Sequence, residues 1–469
     1  MREVALVSVL MWALAGCMVG PNYKRPAVES PQSWRFEDRE ARDLANTAWW
    51  EQFNDPVLND LIRTALEENK DVKIAAGRIE EFAGQYMSTR AGLYPQIGYG
   101  ASGAAERFTR RGPAPAMNPT HDFYQIFLNA TWEIDVWGKI RRATEAARAD
   151  LLSTEEGRRT VILSLVSAVA NAYVNLRNLD KQLEIAKQTA ESRKESYRIF
   201  QLRFHGGVVS ALELNQVKSE YELALAAIPQ IQKTIALQEH AISVLLGRNP
   251  GPIPRGRSID ELRSPAVPAG LPSDLLARRP DIRQAEEDLV AANARIGVAK
   301  AAYYPTISLT GMLGVASSDL NHLFAGPAKI WSFAGSILGP IFTAGAIKGQ
   351  VKAAEAVQQQ TLVRYQQVIQ TAFREVEDSL ADRIHTADQL RALGQQVASL
   401  REYVRMARLR YDEGYVSFIE VLDAERSLFN AEIEYTRTQA VLFQALVNLY
   451  KAMGGGWVVQ AEGMTGSAS

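Results

Sequence analysis

Arg203-Phe204-His205-Gly206-Gly207-Val208-Val209-Ser210 returns, in outline, as Arg410-Tyr411-Asp412-Glu413-Gly414-Tyr415-Val416-Ser417, 207 positions later. The same displacement carries Gly138 to Gly345, Ile140 to Ile347, Ala146 to Ala353, Glu213 to Glu420 and Gly247 to Gly454. Farther upstream it becomes 210, taking Asp71 to Asp281 and Tyr94-Pro95 to Tyr304-Pro305. A displacement held over so long a stretch marks an internal duplication. The copies occupy roughly 56–247 and 271–454. Between them lies a linker, 248–270, rich in proline and therefore not helical. A tail, 455–469, follows.

Each copy reads first as helix. No proline falls between Pro119 and Pro229, and none follows Pro340. Residues 138–203 are 66 positions of mostly helix-forming sequence, about 100 Å of helix at ~1.5 Å per residue. That is coiled-coil length. Leu390, Leu393, Val397, Leu400, Val404, Ala407 and Tyr411 alternate by three and four, a heptad seam. Beyond the glycine turn Val421, Leu428, Tyr435, Leu442 and Leu449 recur every seven; Leu214, Tyr221, Ile228, Ile235 and Ile242 do so in the first copy. Pro229 breaks this pattern and predicts a kink. Shorter helices are expected over 71–92 and 281–301, and final ones over 208–247 and 415–453. In each copy the two shorter helices together match the long one, so stacked end to end they fit beside it.

Two segments have the period-two pattern of strands, about 94–135 and 303–342. Tyr124, Ile126, Leu128, Ala130, Trp132 and Ile134 alternate with Gln125, Phe127, Asn129, Thr131, Glu133 and Asp135. Ile307, Leu309, Gly311, Leu313 and Val315 alternate with Thr306, Ser308, Thr310, Met312 and Gly314; Trp331, Phe333 and Ile337 mark one face of the last strand. An apolar face with aromatics near its ends fits a transmembrane β-barrel. The alternation by itself equally fits one sheet of a soluble sandwich. Two hairpins supply four strands, too few to close a barrel, and lipid does not tolerate open edges. A barrel therefore needs further copies of the chain: two give eight strands, three give twelve.

The start of the chain favours the barrel. Residues 4–16 are apolar but too short to span a bilayer, and 1–16 read as a signal peptide. Leu14-Ala15-Gly16-Cys17 resembles the lipobox of bacterial lipoproteins, in which the cysteine is acylated and becomes the mature N-terminus. Met18, where Asp would signal inner-membrane retention, favours the outer membrane. Residues 17–55 are then a lipidated, extended N-terminal segment.

Composition narrows the rest. The 469 residues include 52 Lys+Arg and 53 Asp+Glu, a formal net charge of −1, which speaks against a nucleic-acid binder. One cysteine leaves no intrachain disulfide and no cysteine metal cluster. The five histidines show no HExxH pairing, and no metal site is expected. A mean hydropathy of −0.15 is too low for a polytopic helical membrane protein. No nucleophile elbow or P-loop stands in a credible context, so an enzyme is not expected. The only non-protein group foreseen is the covalent lipid on Cys17.

Several motifs, in order, resemble the outer-membrane efflux channel family of the TolC/OprM type. They are the block from Cys17 to Pro26; Trp49-Trp50 with Phe53, Asp55-Pro56 and Leu58; Arg90-Ala91-Gly92-Leu93-Tyr94-Pro95; Leu422-Asp423-Ala424-Glu425-Arg426-Ser427-Leu428; and Gly454-Gly455-Gly456-Trp457. The resemblance implies a homotrimer with a twelve-stranded barrel in the outer membrane of a Gram-negative bacterium, continued by a periplasmic α-helical barrel. It implies a passive conduit for drugs or other small toxic solutes, with a periplasmic adaptor and an inner-membrane RND-type pump as partners. A type I-like protein-secretion channel and a non-conducting, lipid-anchored coiled-coil scaffold are the alternatives.

Ile419, Asp423 and Arg426, spaced i, i+4, i+7, share one helix stripe just after the second glycine turn. By spacing alone they are an exposed Asp/Arg pair on a coiled-coil flank, worth ~0.3–0.5 kcal/mol. The resemblance places the family's periplasmic gate on these residues. Their first-copy equivalents, Leu212, Gln216 and Ser219, carry no charge. The two turns, Gly207, Val209 and Ser210 with Gly414, Val416 and Ser417, are the expected adaptor-docking tips; their glycines also suit left-handed helix ends.

Overall fold

The computed structural model describes residues 18–28, 31–36, 48–107, 109, 111, 120–267, 272–454 and 457–465. Cys17 and the signal sequence lie outside the described residues. Among the described residues eight α-helices of eight residues or more and four strands carry the architecture: α1 (Pro56–Glu68), α2 (Lys70–Ala91), β1 (Gln96–Arg107), β2 (Thr120–Ile134), α3 (Lys139–His205), α4 (Ala211–Leu245), α5 (Pro280–Ala301), β3 (Thr306–Ser317), β4 (Lys329–Leu338), α6 (Ala346–Asp412), α7 (Phe418–Ala452) and α8 (Trp457–Met464). The chain divides into two units. One comprises 1–27, 78–155 and 284–366, the other 28–77, 156–283 and 367–469.

The duplication is written into the backbone. The long helices α3 and α6 have 67 residues each, and α4 and α7 have 35 each. Gly138, Gly207 and Gly247 have φ of +76°, +73° and +70°; Gly345, Gly414 and Gly454 have +87°, +80° and +60°. Each pair is related by the 207-residue displacement. These positions need the left-handed region, which glycine enters without steric cost. The copies differ most in their hairpins, where β2 has 15 residues and β4 only 10. Helix α4 runs on through Pro229, which sits inside it.

In the first unit the sheet order is β1-β2-β3-β4, antiparallel throughout, so that the two hairpins join edge to edge through β2 and β3. One face carries Ile97 and Tyr99; Ile126, Leu128 and Trp132; Leu309 and Leu313; and Trp331, Phe333 and Ile337. Most of these large apolar side chains are exposed. The other face is rich in amide and hydroxyl groups: Gln96, Gln125, Asn129, Thr131, Ser308, Thr310, Ser332 and Ser336 share it. Aromatics gather at the helix-proximal end. Trp137 stacks on Tyr304 with ring centroids 4.7 Å apart and donates its indole N–H to the Pro305 carbonyl at 2.8 Å. Trp132 donates to the Leu93 carbonyl at 3.1 Å. Such amphipathic rings suit the border between lipid and water.

Small residues let helices approach closely in the same unit. Ala146 and Ala149 of α3 pack on Ala291 and Ala294 of α5. The N-terminal segment lies in this contact. Gly20 and Gly297 touch so tightly that a Cβ on Gly20 would stand 2.5 Å from the Gly297 Cα. Buried Arg142 donates to the carbonyls of Val19 and Gly20 and to Asn22. The Val19 N–H reaches the Trp137 carbonyl at 3.1 Å.

The second unit has the larger core. Trp49, Trp50, Phe53, Tyr450 and Trp457 form an aromatic cluster, with Trp49 stacked on Tyr450 at 5.4 Å. The apolar run in α3 from Ile162 to Leu179 is buried here. Asp55 caps α1 and is fully buried. It accepts from the N–H groups of Val57 and Arg257 and from the Tyr173 hydroxyl at 2.9, 3.0 and 2.8 Å. Burial, then the Asp55 hydrogen bond, push the Tyr173 hydroxyl pKa well above its ordinary value. Residues 248–267 of the proline-rich linker run along this unit, with Ile253, Ile259 and Leu262 in its core and Val267 buried.

Candidate gate and tip turns

The α6–α7 hairpin closes on Ala407, Val421 and Ala424, flanked by Val404, Tyr411 and Phe418. These residues belong to the heptad seams expected from sequence, or lie beside them. A ladder of ion pairs crosses the hairpin: Arg401–Glu432 at 2.7 Å, Arg408–Glu425 at 2.5 Å and Arg410–Glu420 at 3.5 Å. Phe200 at the end of α3 lies 4.4 Å from Phe418, centroid to centroid. Arg203 donates to the Tyr411 hydroxyl at 2.7 Å, with its guanidinium near the rings of both Phe200 and Tyr411. This clasp fastens the first copy's long helix to the second copy's tip. The sequence placed Arg203 and Tyr411 in the repeat, and Tyr411 in the heptad seam, but did not pair them with each other. Their signal was the aromatic and arginine retained beside each glycine turn.

The two turns differ in detail. Ser210 heads α4 in a reciprocal capping box: its hydroxyl accepts from the Glu213 N–H at 3.2 Å, and the Glu213 carboxylate accepts from the Ser210 N–H at 2.8 Å. The backbone N–H and then the hydroxyl of Ser210 hold the Glu213 pKa below the ordinary carboxylate value. Ser417 makes no such side-chain cap, and Glu420 instead faces Arg410. Val208, Leu212, Tyr415 and Ile419 are exposed around the turns.

Ile419, Asp423 and Arg426 lie together on α7. Arg426 Nη2 donates to Asp423 Oδ1 at 2.6 Å within the helix, and both side chains are 55% exposed. They share a groove of about 560 Å³ with Gln216, Ser219, Glu220 and Tyr403. The uncharged first-copy counterparts Gln216 and Ser219 thus face the same groove as the charged second-copy residues. Glu220 is held by Arg193 at 3.0 Å. Among the described residues no three His, Cys, Asp or Glu side chains converge as metal donors.

A second pair of equivalent sites was not foreseen. Asn69 donates to the Leu245 carbonyl at 2.8 Å, at the end of α4. Arg279 donates to the Ala452 carbonyl at 3.0 Å, at the end of α7, and also grips Asp281 and Glu375. Both donors and both acceptors are related by the repeat.

Comparison with known proteins agrees with this architecture. The outer membrane efflux protein family matches residues 61–248 and 271–455. The toluene efflux pump outer membrane protein TtgC of Pseudomonas putida is 36% identical over 467 residues, 98% of this chain and 96% of that protein. The cation efflux system protein CusC of Escherichia coli K12 is 37% identical over 455 residues, 95% and 97% of the two chains. The open state of the MtrE outer membrane channel of Neisseria gonorrhoeae superposes with a TM-score of 0.86 at 32% identity, covering 94% of this chain and 99% of that one. The family match takes in both copies of the repeat, and the solved channel covers sheet and long helices together, so this chain belongs to the outer membrane efflux protein family.

Proposed function

We propose that three copies of this outer-membrane efflux channel close a twelve-stranded barrel, and that the second-copy tip residues gate it. The observation that carries the reading is the sheet itself. It has two free edges, β1 and β4, and an exposed apolar face that only lipid suits. Unpaired strand edges are not viable in a bilayer, so neighbouring copies complete the ladder. As one component of a tripartite efflux system, the channel is passive, and an inner-membrane RND-type pump supplies the energy. A periplasmic adaptor docks on the turns at Gly207, Val209, Ser210, Gly414, Val416 and Ser417, where exposed Val208, Leu212 and Tyr415 provide apolar contact.

Asp423 and Arg426 hold the resting channel closed, with Ile419 narrowing it. Their pairing within one helix leaves each with spare hydrogen-bonding capacity: a carboxylate has further lone pairs and a guanidinium further N–H groups for a neighbouring copy. That a relative's structure is described as an open state supports a channel with more than one state. The cargo we assign is drugs or other small toxic solutes. Relatives named for toluene and for cations fit a lumen that leaves cargo selection to the pump.

Cys17 is the lipid-bearing residue in this reading. The adjacent Met18 packs against Gly138, and Val19 is tied to Trp137, beside the aromatic end of the sheet. An acyl chain there enters the membrane next to the barrel, adding ~0.8 kcal/mol of anchoring per buried CH₂. Mass spectrometry of the mature N-terminus tests this; an unmodified Cys17 sinks it. Planar-bilayer recording of the purified protein tests the conduit. A non-conducting scaffold gives no channels at all.

A further inference from the structure

The polar face of the sheet is not uniformly polar. At one height it carries Gly100, Phe127, Gly314 and Ile330, directly opposite one another across the four strands. Phe127 is flanked by glycine on both sides, and neither glycine has a φ in the left-handed region. Their role is therefore spatial. A Cβ on Gly100 would lie 2.7 Å from Phe127 Cζ and 3.0 and 3.2 Å from its Cε atoms. The Phe127 ring thus lies flat across β1, in the space that a side chain at position 100 would take. One step along, Asn129 leans over Gly98 in the same way, with its Oδ1 3.0 Å from the Cβ position. On the β3 side, a Cβ on Gly314 would stand 2.7 Å from the Phe127 Cα; that glycine admits the backbone of β2 itself.

We infer that Gly100 is a parking place for the Phe127 ring and that this pair sets the bore of the barrel at its height. The inference rests on the proposed three-copy barrel, in which the polar face lines the lumen. Three phenylalanines then sit at one level. Laid against the wall they leave the passage open; turned inward they converge as an aromatic constriction. Atoms cannot share the 2.7 Å that the Gly100 Cβ would impose, and the ring tip is the part free to move. A methyl group at position 100 therefore expels the ring toward the lumen.

Single-channel conductance of detergent-purified, trimeric protein in planar bilayers tests this, with every variant built on Asp423→Ala/Arg426→Ala so that the tip does not limit the current; the reference, called wild type, keeps Gly100 and Phe127 in that background. Conductance through a pore follows its narrowest section, so Gly100→Ala is expected to lower it by about twofold. Adding Phe127→Ala to that variant restores the wild-type value or exceeds it. Phe127→Ala alone changes conductance little, because the ring already lies out of the way. Gly335→Ala, whose Cβ meets Leu309 at an ordinary 3.5 Å on the apolar face, leaves it unchanged. Wild-type conductance in trimeric Gly100→Ala, or a reduction that Phe127→Ala does not relieve, overturns the inference. If Gly100→Ala fails to assemble, Phe127→Ala decides alone: a large rise shows that the ring already obstructs the bore. If the Asp423→Ala/Arg426→Ala protein itself forms no channels, the barrel reading is refuted instead.

Discussion

The two glycine turns share one backbone but have different chemistry. At the first, a serine and a glutamate close a self-contained capping box. At the second, the equivalent serine caps nothing, and the equivalent glutamate is committed to Arg410 across the hairpin. One turn after that, the first copy offers Leu212, Gln216 and Ser219, the second Ile419, Asp423 and Arg426. Duplication supplied the geometry twice, and charge was placed in one copy only. The first tip is thus stabilised by its own local hydrogen bonds. The second tip is held by ion pairs that a partner or a neighbouring copy can compete for. In the proposed gate, that asymmetry makes the second hairpin the one whose contacts can be exchanged.

Substitutions at equivalent places test how far the copies have diverged. The largest effect is expected where only one copy has the feature. Asp55→Ala removes a buried acceptor shared by four donors, the N–H groups of Val57, Leu58 and Arg257 and the Tyr173 hydroxyl, at a cost of about 3 kcal/mol in denaturant unfolding. A loss below 1 kcal/mol would show that the linker is not held through Asp55. Next come the twin helix-end clamps. Arg279→Ala should cost about 2 kcal/mol, because its carboxylate partners are partly solvated and recover some hydration. Asn69→Ala should cost about 1 kcal/mol. Equal losses would mean that the second copy's extra ion pairs contribute nothing. Ser210→Ala should cost ~1 kcal/mol and Ser417→Ala almost nothing, since only the first serine caps.

The smallest contrast is in pH. Glu213 has a depressed pKa in the folded state, so its contribution is present above the unfolded value and is lost as pH falls through the folded one. Amide protection at the first tip should therefore decline below pH 4.5, the ordinary value for this carboxyl. In Glu213→Gln that decline should vanish. A decline that persists in the variant assigns the pH dependence to another group.

Much of this was legible in the residues, for identifiable reasons. Helix and strand periods come from which side chains face apolar surroundings, and with helices of 67 residues each period runs long enough to read. The glycine pairs at 138/345, 207/414 and 247/454 were visible because positive φ restricts the choice of residue. Ile419, Asp423 and Arg426 share a helix stripe as their spacing implied, and α7 brings them to one groove. What escaped were contacts between segments distant in sequence. Asp55 with Tyr173 and Arg257, Arg203 with Tyr411, and Phe127 over Gly100 carry no local signature. The linker's prolines announced that it is not helical but not that Ile253 and Ile259 are buried. The Asp423–Arg426 pair, three residues apart in one helix, is the one that spacing alone offered, and such i+3 pairing competes with the contacts between helices that a gate requires.

That competition makes the charged pair the place to test the central claim. Asp423→Ala/Arg426→Ala should fold and assemble as the wild type does, because an exposed intrahelical pair contributes only ~0.3–0.5 kcal/mol. Its resting conductance in a planar bilayer should nonetheless rise well above wild type, with no adaptor present. The charge-reversed double variant, Asp423→Arg/Arg426→Asp, should regain part of the closure if the two residues pair chiefly with each other. A folded, trimeric double-alanine channel that conducts at rest no more than the wild type contradicts the account.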